Sequence, residues 1–152
     1  MALWNNKGSE KEVEDYTVGN DFLLDQELVP YDCEASKAHA KTLLKAGIIS
    51  EEEEKKLEEE LKNIKKLSQE NKFIIKKDQE DCHTAIEECL TEKLGDVGKK
   101  IHSGRSRNDQ VLTALRLYEL KNLEVIKEFQ EQLVTSLKKK AKEYDSVKIP
   151  GY

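Results

Sequence analysis

Proline occurs twice in the 152 residues and glycine seven times. With so few residues that stop or redirect a chain, a turn-rich β architecture is excluded and long uninterrupted helices are allowed. Cysteine is scarce as well. Cys33, Cys82 and Cys89 form neither an even set nor a close-spaced metal pair, and a disulfide scaffold would be denser, so reduced thiols are expected. No run of about 18 apolar residues exists to cross a membrane, and Met1 to Ser9 has no basic stretch leading into an apolar one, so no leader is expected. An excess of cations is missing too: 26 Lys and Arg against 31 Asp and Glu leave a net charge of -5, the wrong sign for a general phosphate binder. These absences point to a cytoplasmic protein with neither nucleic acid nor membrane as partner. Apolar residues are also in short supply, 37% against 38% charged, where an average domain has about 45 to 50% and about 25%. The core is expected to be small and in need of partners.

What is present is helical periodicity, and the spacing predicts five helices in an all-α chain. The first runs from Asp21 to Val29 and is stopped by Pro30. The second begins near Glu34, offers Ala35, Ala38, Thr42 and Leu43 as a face, and ends at Gly47, where a left-handed cap is sterically free. Ser50 and Glu53 form a capping box for the third, whose stripe is Leu57, Leu61, Ile64 and Leu67. Phe73, Ile74 and Ile75 find no partner strand and read as an extended linker. Asp78 is expected to cap the fourth helix, which presents Cys82, Ala85, Ile86 and Cys89 and stops at Gly95. Gly95 to Gly104 reads as a loop.

From Arg107 to Tyr144 no Gly or Pro intervenes, and Leu123, Ile126, Phe129, Leu133 and Leu137 recur at threes and fours. Such a helix would be about 55 Å long, against a radius of gyration of about 15 Å for a compact chain of this size. A break near Asn122 is the alternative. Unbroken, the helix needs another chain or segment to cover its stripe, so self-association through those five residues is expected. The domain expectation is therefore a helical amino-terminal unit, 1–106, followed by the first long helix of a bundle, 107–152.

The chemistry concentrates just before that helix. Ser103, Ser106 and Asn108 are candidate caps set among Arg105 and Arg107. Helix-start N–H groups carry partial positive charge, and guanidinium groups add planar paired donors suited to carboxylates, so this is the construction of an anion site. Spacing alone is equally compatible with a capped helix start and two solvated arginines. His83 lies on the edge of the fourth helix's apolar face with Ile86 and Leu90 and reads first as a packed histidine. His39 reads as structural, His102 as a residue that orients the loop, and no ligand set stands at metal spacing.

The exact residues add more. Gly-Arg-Ser-Arg-Asn-Asp-Gln-Val, Gly104 to Val111, resembles the first conserved region of the argininosuccinate lyases, a branch of the fumarase and aspartase superfamily. Ala-Ser-Lys-Ala-His, Ala35 to His39, is similar to that family's Gly-Ser-x-Ala-His segment, and Glu-Asp-Cys-His, Glu80 to His83, to its Glu-Asp-Ile-His. Lys-Ala-Gly-Ile-Ile and Leu-Arg-Leu-Tyr also fit. Two departures stand out: Leu3 and Trp4 are followed by Asn5, Asn6 and Lys7 where the family carries Gly-Gly-Arg, and Ala35 replaces the glycine before Ser36.

The resemblance implies an all-helical fold, cleavage of argininosuccinate to arginine and fumarate, a homotetramer, and neither cofactor nor metal. It implies that Ser36 and Asn108 bind substrate, that Ser103, Arg105 and Arg107 shape a carboxylate pocket, and that His83 sits beside them. It places the proton-transfer pair elsewhere, on a Thr-His that follows Pro-Gly-Tyr and on a later serine loop. The sequence ends at Pro150, Gly151 and Tyr152, so no catalytic residue is expected in it and the chain alone is expected to be inactive. The competing readings are a non-catalytic helical interaction module and another fumarate-releasing lyase such as adenylosuccinate lyase.

Overall fold

The computed structural model describes residues 19–151; the departure at Leu3 to Lys7 lies outside them. The described residues hold six α-helices and no strand, and the all-α expectation is met. The helices are α1 (Asp21–Leu24), α2 (Val29–Lys45), α3 (Glu51–Gln69), α4 (Cys82–Leu94), α5 (Asp96–Lys99) and α6 (Arg107–Glu143). Single 3-10 turns occupy Asp25–Glu27, Lys77–Gln79 and Lys100–His102.

Pro30 does not end a helix. It sits in the first turn of α2, where its missing N–H would have had no intrahelical acceptor and its fixed φ suits the helix. α1 therefore stops at Leu24, five residues short of the expected end. α2 closes as the sequence indicates. Gly47 adopts φ 70°, its N–H donates to the Leu44 carbonyl at 3.0 Å, and the Ile48 N–H donates to that of Leu43 at 3.0 Å, the paired bonds that satisfy orphan carbonyls.

The start of α3 is a reciprocal box. The Glu53 N–H donates to Ser50 Oγ at 3.3 Å and the Ser50 N–H to Glu53 Oε2 at 2.8 Å. For α4 the cap is Asp81 rather than Asp78: its carboxylate accepts from the Thr84 N–H at 2.7 Å. Asp78 is taken up in the 3-10 turn, and Glu80 at φ 64° redirects the chain between the two. Only Asp81 then has the extended backbone a cap requires.

The stretch 73–75 belongs to no helix or strand. The Gln26 amide clamps it, Nε2 donating to the Phe73 carbonyl at 2.6 Å and Oε1 accepting from the Ile75 N–H at 3.1 Å. A side chain here serves backbone groups that a strand would otherwise serve. Between Gly95 and Gly104 the expected loop is instead α5 and a 3-10 turn, pieces too short to show periodicity. α5 lies against α4 at backbone distance, since a Cβ on Gly98 would come within 2.2 Å of the Leu90 carbonyl oxygen.

The core joins Val29, Cys33, Ala40 and Leu43 of α2 to Leu57, Leu61 and Ile64 of α3 and to Cys82, Ala85, Ile86 and Leu90 of α4, with Ile75 and Ile101 closing its ends. Each fully buried Leu or Ile contributes roughly 1.5 to 3 kcal/mol. This frame fixes the faces of α2 and α4 that carry the polar residues described below.

The chain divides into two compact units at Leu117 and Tyr118. α6 is continuous for 37 residues, and Asn122 makes no break, its amide donating to the Tyr118 carbonyl at 2.9 Å. Within the second unit, Leu123, Ile126, Phe129, Leu133 and Leu137 are each about 60% exposed. No helix among the described residues is long and apolar enough to cross a membrane.

Candidate functional site

Gly104, at φ 71°, turns the chain into the start of α6. There the Asp109 N–H donates to Ser106 Oγ at 3.3 Å, while Asp109 Oδ2 accepts from the Ser106 N–H at 3.1 Å and hydroxyl at 3.0 Å. Those two donors, the backbone one first, hold the Asp109 carboxyl below its ordinary pKa. The pair locks the first turn, with Arg105 just before it and Arg107 within it.

Arg105 turns inward. Its Nη2 donates to Ser36 Oγ at 3.0 Å, and Ser36, itself buried, lies 3.4 Å from Asp32 Oδ1. Burial pulls the guanidinium below its ordinary pKa and Arg107 adds to that, while Asp32 and Glu87 oppose it; an arginine remains protonated throughout. Arg105 Nε is buried without an acceptor, an unmet donor on a cation.

Arg107 is drawn to the polar face of α4. Nη1 donates to Gln110 Oε1 at 3.1 Å and to Glu87 Oε1 at 3.4 Å, and Nη2 donates to Thr84 Oγ1 at 3.2 Å. Glu87 Oε1 also meets His102 Nδ1 at 3.0 Å, so His102 is fixed against α4 and orients the loop. Gln110, 1% exposed, turns its other end to Asp32, Nε2 donating to Oδ2 at 3.2 Å.

A single polar chain thus runs from Arg105 through Ser36, Asp32 and Gln110 to Arg107 and Thr84. His83, buried at 1%, adjoins it, with Nδ1 3.2 Å from Asp32 Oδ2. That approach is outside hydrogen-bonding geometry, and Nδ1 has no hydrogen-bond partner; the contact becomes an ion pair only when the ring is protonated.

Of the six site residues read from the sequence, Ser36, His83, Arg105 and Arg107 are brought together. Ser103 enters through its carbonyl, which accepts from His39 Nε2 at 2.9 Å. Asn108 is exposed on the first turn of α6. A groove of about 570 Å³ opens beside Arg107, lined in part by Thr84, Glu87, Gly98, Ile101 and His102.

The sequence reading missed Asp32 and Gln110 as members of this cluster, although both are essentially buried. Asp32 lies one helical turn before Ser36, and Gln110 stands within the arginine motif, but their partnership spans 78 residues and leaves no local pattern. One further grouping escaped notice: Asp25, Cys82 and His83 each bring a ligand-capable atom within 4.8 Å of the others. Burial, reinforced by Asp32, Asp25 and Asp81, pushes the Cys82 thiol far up, and Asp25 Oδ2 accepts from the Cys82 N–H at 3.2 Å.

Two guanidinium groups on a common polar scaffold can receive carboxylates, which they bind through short, charge-assisted bonds. Residues 10–152 match the family model described as Lyase. The chain is 47% identical over 143 residues to the argininosuccinate lyase of Thermotoga neapolitana, covering 94% of this chain and 36% of that protein. It is 46% identical over 153 residues to the argininosuccinate lyase of a Sulfurihydrogenibium species, at 99% and 33% coverage. For the argininosuccinate lyase of Bacteroides fragilis the identity is 42% over 153 residues, at 100% and 34% coverage. The chain spans about a third of the length of the curated relatives it matches. With the family match running over nearly its whole length, the chain belongs to the Lyase family.

Proposed function

We propose that this chain is the amino-terminal, carboxylate-binding portion of an argininosuccinate lyase, which cleaves argininosuccinate to arginine and fumarate without hydrolysis. The observation that carries the reading is the polar chain joining Arg105 to Arg107. Removing a proton next to a carboxylate builds charge on that carboxylate, and fixed cations stabilise the charge without having to reorganise.

Within this proposal Ser36 binds substrate indirectly, because its buried hydroxyl already accepts from Arg105. Asn108, exposed on the first turn of α6, offers its amide to substrate directly. Ser103 shapes the entry through the His39 bond, and His83 sits beside the pocket against Asp32. Arg107, held by Thr84 and Glu87, borders the groove.

Proton transfer needs an acid and a base within reach of the reacting carbon, and the proposal assigns neither to these residues. His83 is buried and His39 is engaged with Ser103. In this reading the 152-residue chain by itself is inactive, and the reading includes no cofactor or metal. Self-association through the exposed stripe of α6, which in a bundle would be covered, and a cytoplasmic setting belong to the same reading.

Calorimetric titration with argininosuccinate and with adenylosuccinate tests it. Saturable heat with the first, lost in Arg105→Gln, is the expected result. Binding of adenylosuccinate instead would move the assignment to that branch. Binding of neither by a folded, self-associating chain would favour a helical interaction module.

A further inference from the structure

We infer that Asp32 and Gln110 form a positioning pair that holds Arg105 and Arg107 at a fixed spacing, so that the two guanidinium groups receive one dicarboxylate rather than two separate anions. The inference deepens the lyase reading above and rests on it for the ligand class.

The geometry is directional. Gln110 Nε2 donates to Asp32 Oδ2 at 3.2 Å, and Gln110 Oε1 accepts from Arg107 Nη1 at 3.1 Å. Reversing the amide would set a carbonyl against a carboxylate and an NH₂ against a guanidinium, two repulsions in place of two attractions. The negative charge of Asp32 draws on the amide hydrogens and leaves the carbonyl richer towards Arg107. On its other oxygen Asp32 faces Ser36, whose hydroxyl receives Arg105. One buried carboxylate therefore orders both cations through neutral relays.

Charge explains why such an anchor is needed. Arg105 and Arg107 repel each other, and Asp32 is the foremost opposite charge acting on Arg105. Asp32 reaches Arg105 through Ser36 and Arg107 through Gln110, and Arg107 is also held directly by Glu87, Nη1 to Oε1 at 3.4 Å. The relays through Ser36 and Gln110 tie both arginines to the one carboxylate. Neither Asp32 nor Gln110 is exposed enough to touch a ligand, so both act through the arginines.

The test uses the 152-residue chain, the side-chain ¹⁵N signals of its arginines, and succinate and acetate as probes. Gln110→Met, similar in length but unable to relay, should abolish the slowed Nη signals of Arg107 and also shift those of Arg105. Ser36→Ala should move the Arg105 signals alone. Succinate affinity should fall about tenfold in Gln110→Met, the effect expected from loss of one bond to a charged group, with acetate affinity unchanged. Asp32→Asn, which keeps the shape, carries the same test should the Met variant unfold. The pair is overturned if the Arg105 signals ignore both Gln110→Met and Asp32→Asn, or if succinate and acetate weaken equally. If the arginine signals move together in a parent chain that binds no succinate, the pair stands and the lyase reading fails.

Discussion

His39 on α2 and Ser103 in the approach to α6 are 64 residues apart, and they meet through a bond from Nε2 to the Ser103 carbonyl oxygen at 2.9 Å. The carbonyl can only accept, so the imidazole carries its proton on Nε2. Burial lowers the His39 pKa below its ordinary 6.5, and Arg105 and His102 lower it further against the opposing pull of the Ser103 carbonyl.

The pH dependence follows from that direction. A histidine whose folded pKa lies below its unfolded value contributes stability that is present above the unfolded pKa and lost as pH falls towards the folded one. The melting temperature should therefore drop on acidification from about pH 8 through the ordinary histidine range near 6.5. In His39→Gln, which keeps an amide donor but cannot titrate, that part of the drop should disappear. Melting curves of both proteins across the range give the comparison, and identical slopes would show that His39 contributes nothing.

Gly98 brings α5 to within backbone distance of α4. An alanine methyl there would sit 2.2 Å from the Leu90 carbonyl oxygen and 2.6 Å from the Thr91 nitrogen. Backbone cannot yield as a flexible side chain does, so Gly98→Ala should cost about 1 to 3 kcal/mol, the range of overpacked sites. Urea unfolding followed by circular dichroism measures it; an unchanged midpoint would mean that the two helices separate at little cost.

The box at the head of α3 should be worth less. Ser50→Ala removes the acceptor of the Glu53 N–H and should destabilise the chain by about 1 kcal/mol. The same unfolding assay reads it, and a loss as large as that of Gly98→Ala would indicate a role for Ser50 beyond capping.

Thiol chemistry offers an independent check on the core. Burial raises the pKa of all three cysteines, and Cys33 and Cys82 are fully enclosed whereas Cys89 is partly open. A maleimide should label Cys89 first, with Cys33 and Cys82 reacting only on unfolding, since the thiolate is the reactive form. Peptide mapping after timed labelling would expose the opposite order if the α2–α4 packing were wrong.

Local signals were readable in the sequence where a residue acts on its neighbours. Ser50 with Glu53, Gly47 and Gly95 mark helix ends because capping is settled within a few residues. Pro30 misled because a proline that cannot continue one helix is well suited to open the next, and the outcome depended on where Val29 packs. Asp78 and Asp81 are equivalent caps by type, and only the turn at Glu80 separates them. The site divides in the same way. The arginine motif is contiguous and could be read, whereas Asp32 and Gln110 meet only after folding has brought α2 against α6.

Carboxylate binding by Arg105 is tested most directly by fumarate release from a chimeric enzyme. In it, this chain replaces the matching segment of the Thermotoga neapolitana argininosuccinate lyase, to which it is 47% identical. The chimera should release fumarate from argininosuccinate, and Arg105→Gln within it should cut kcat/KM by about tenfold or more, as loss of a charge-assisted bond to the substrate requires. An equally active chimera without Arg105 would contradict the assignment of a carboxylate site to this segment.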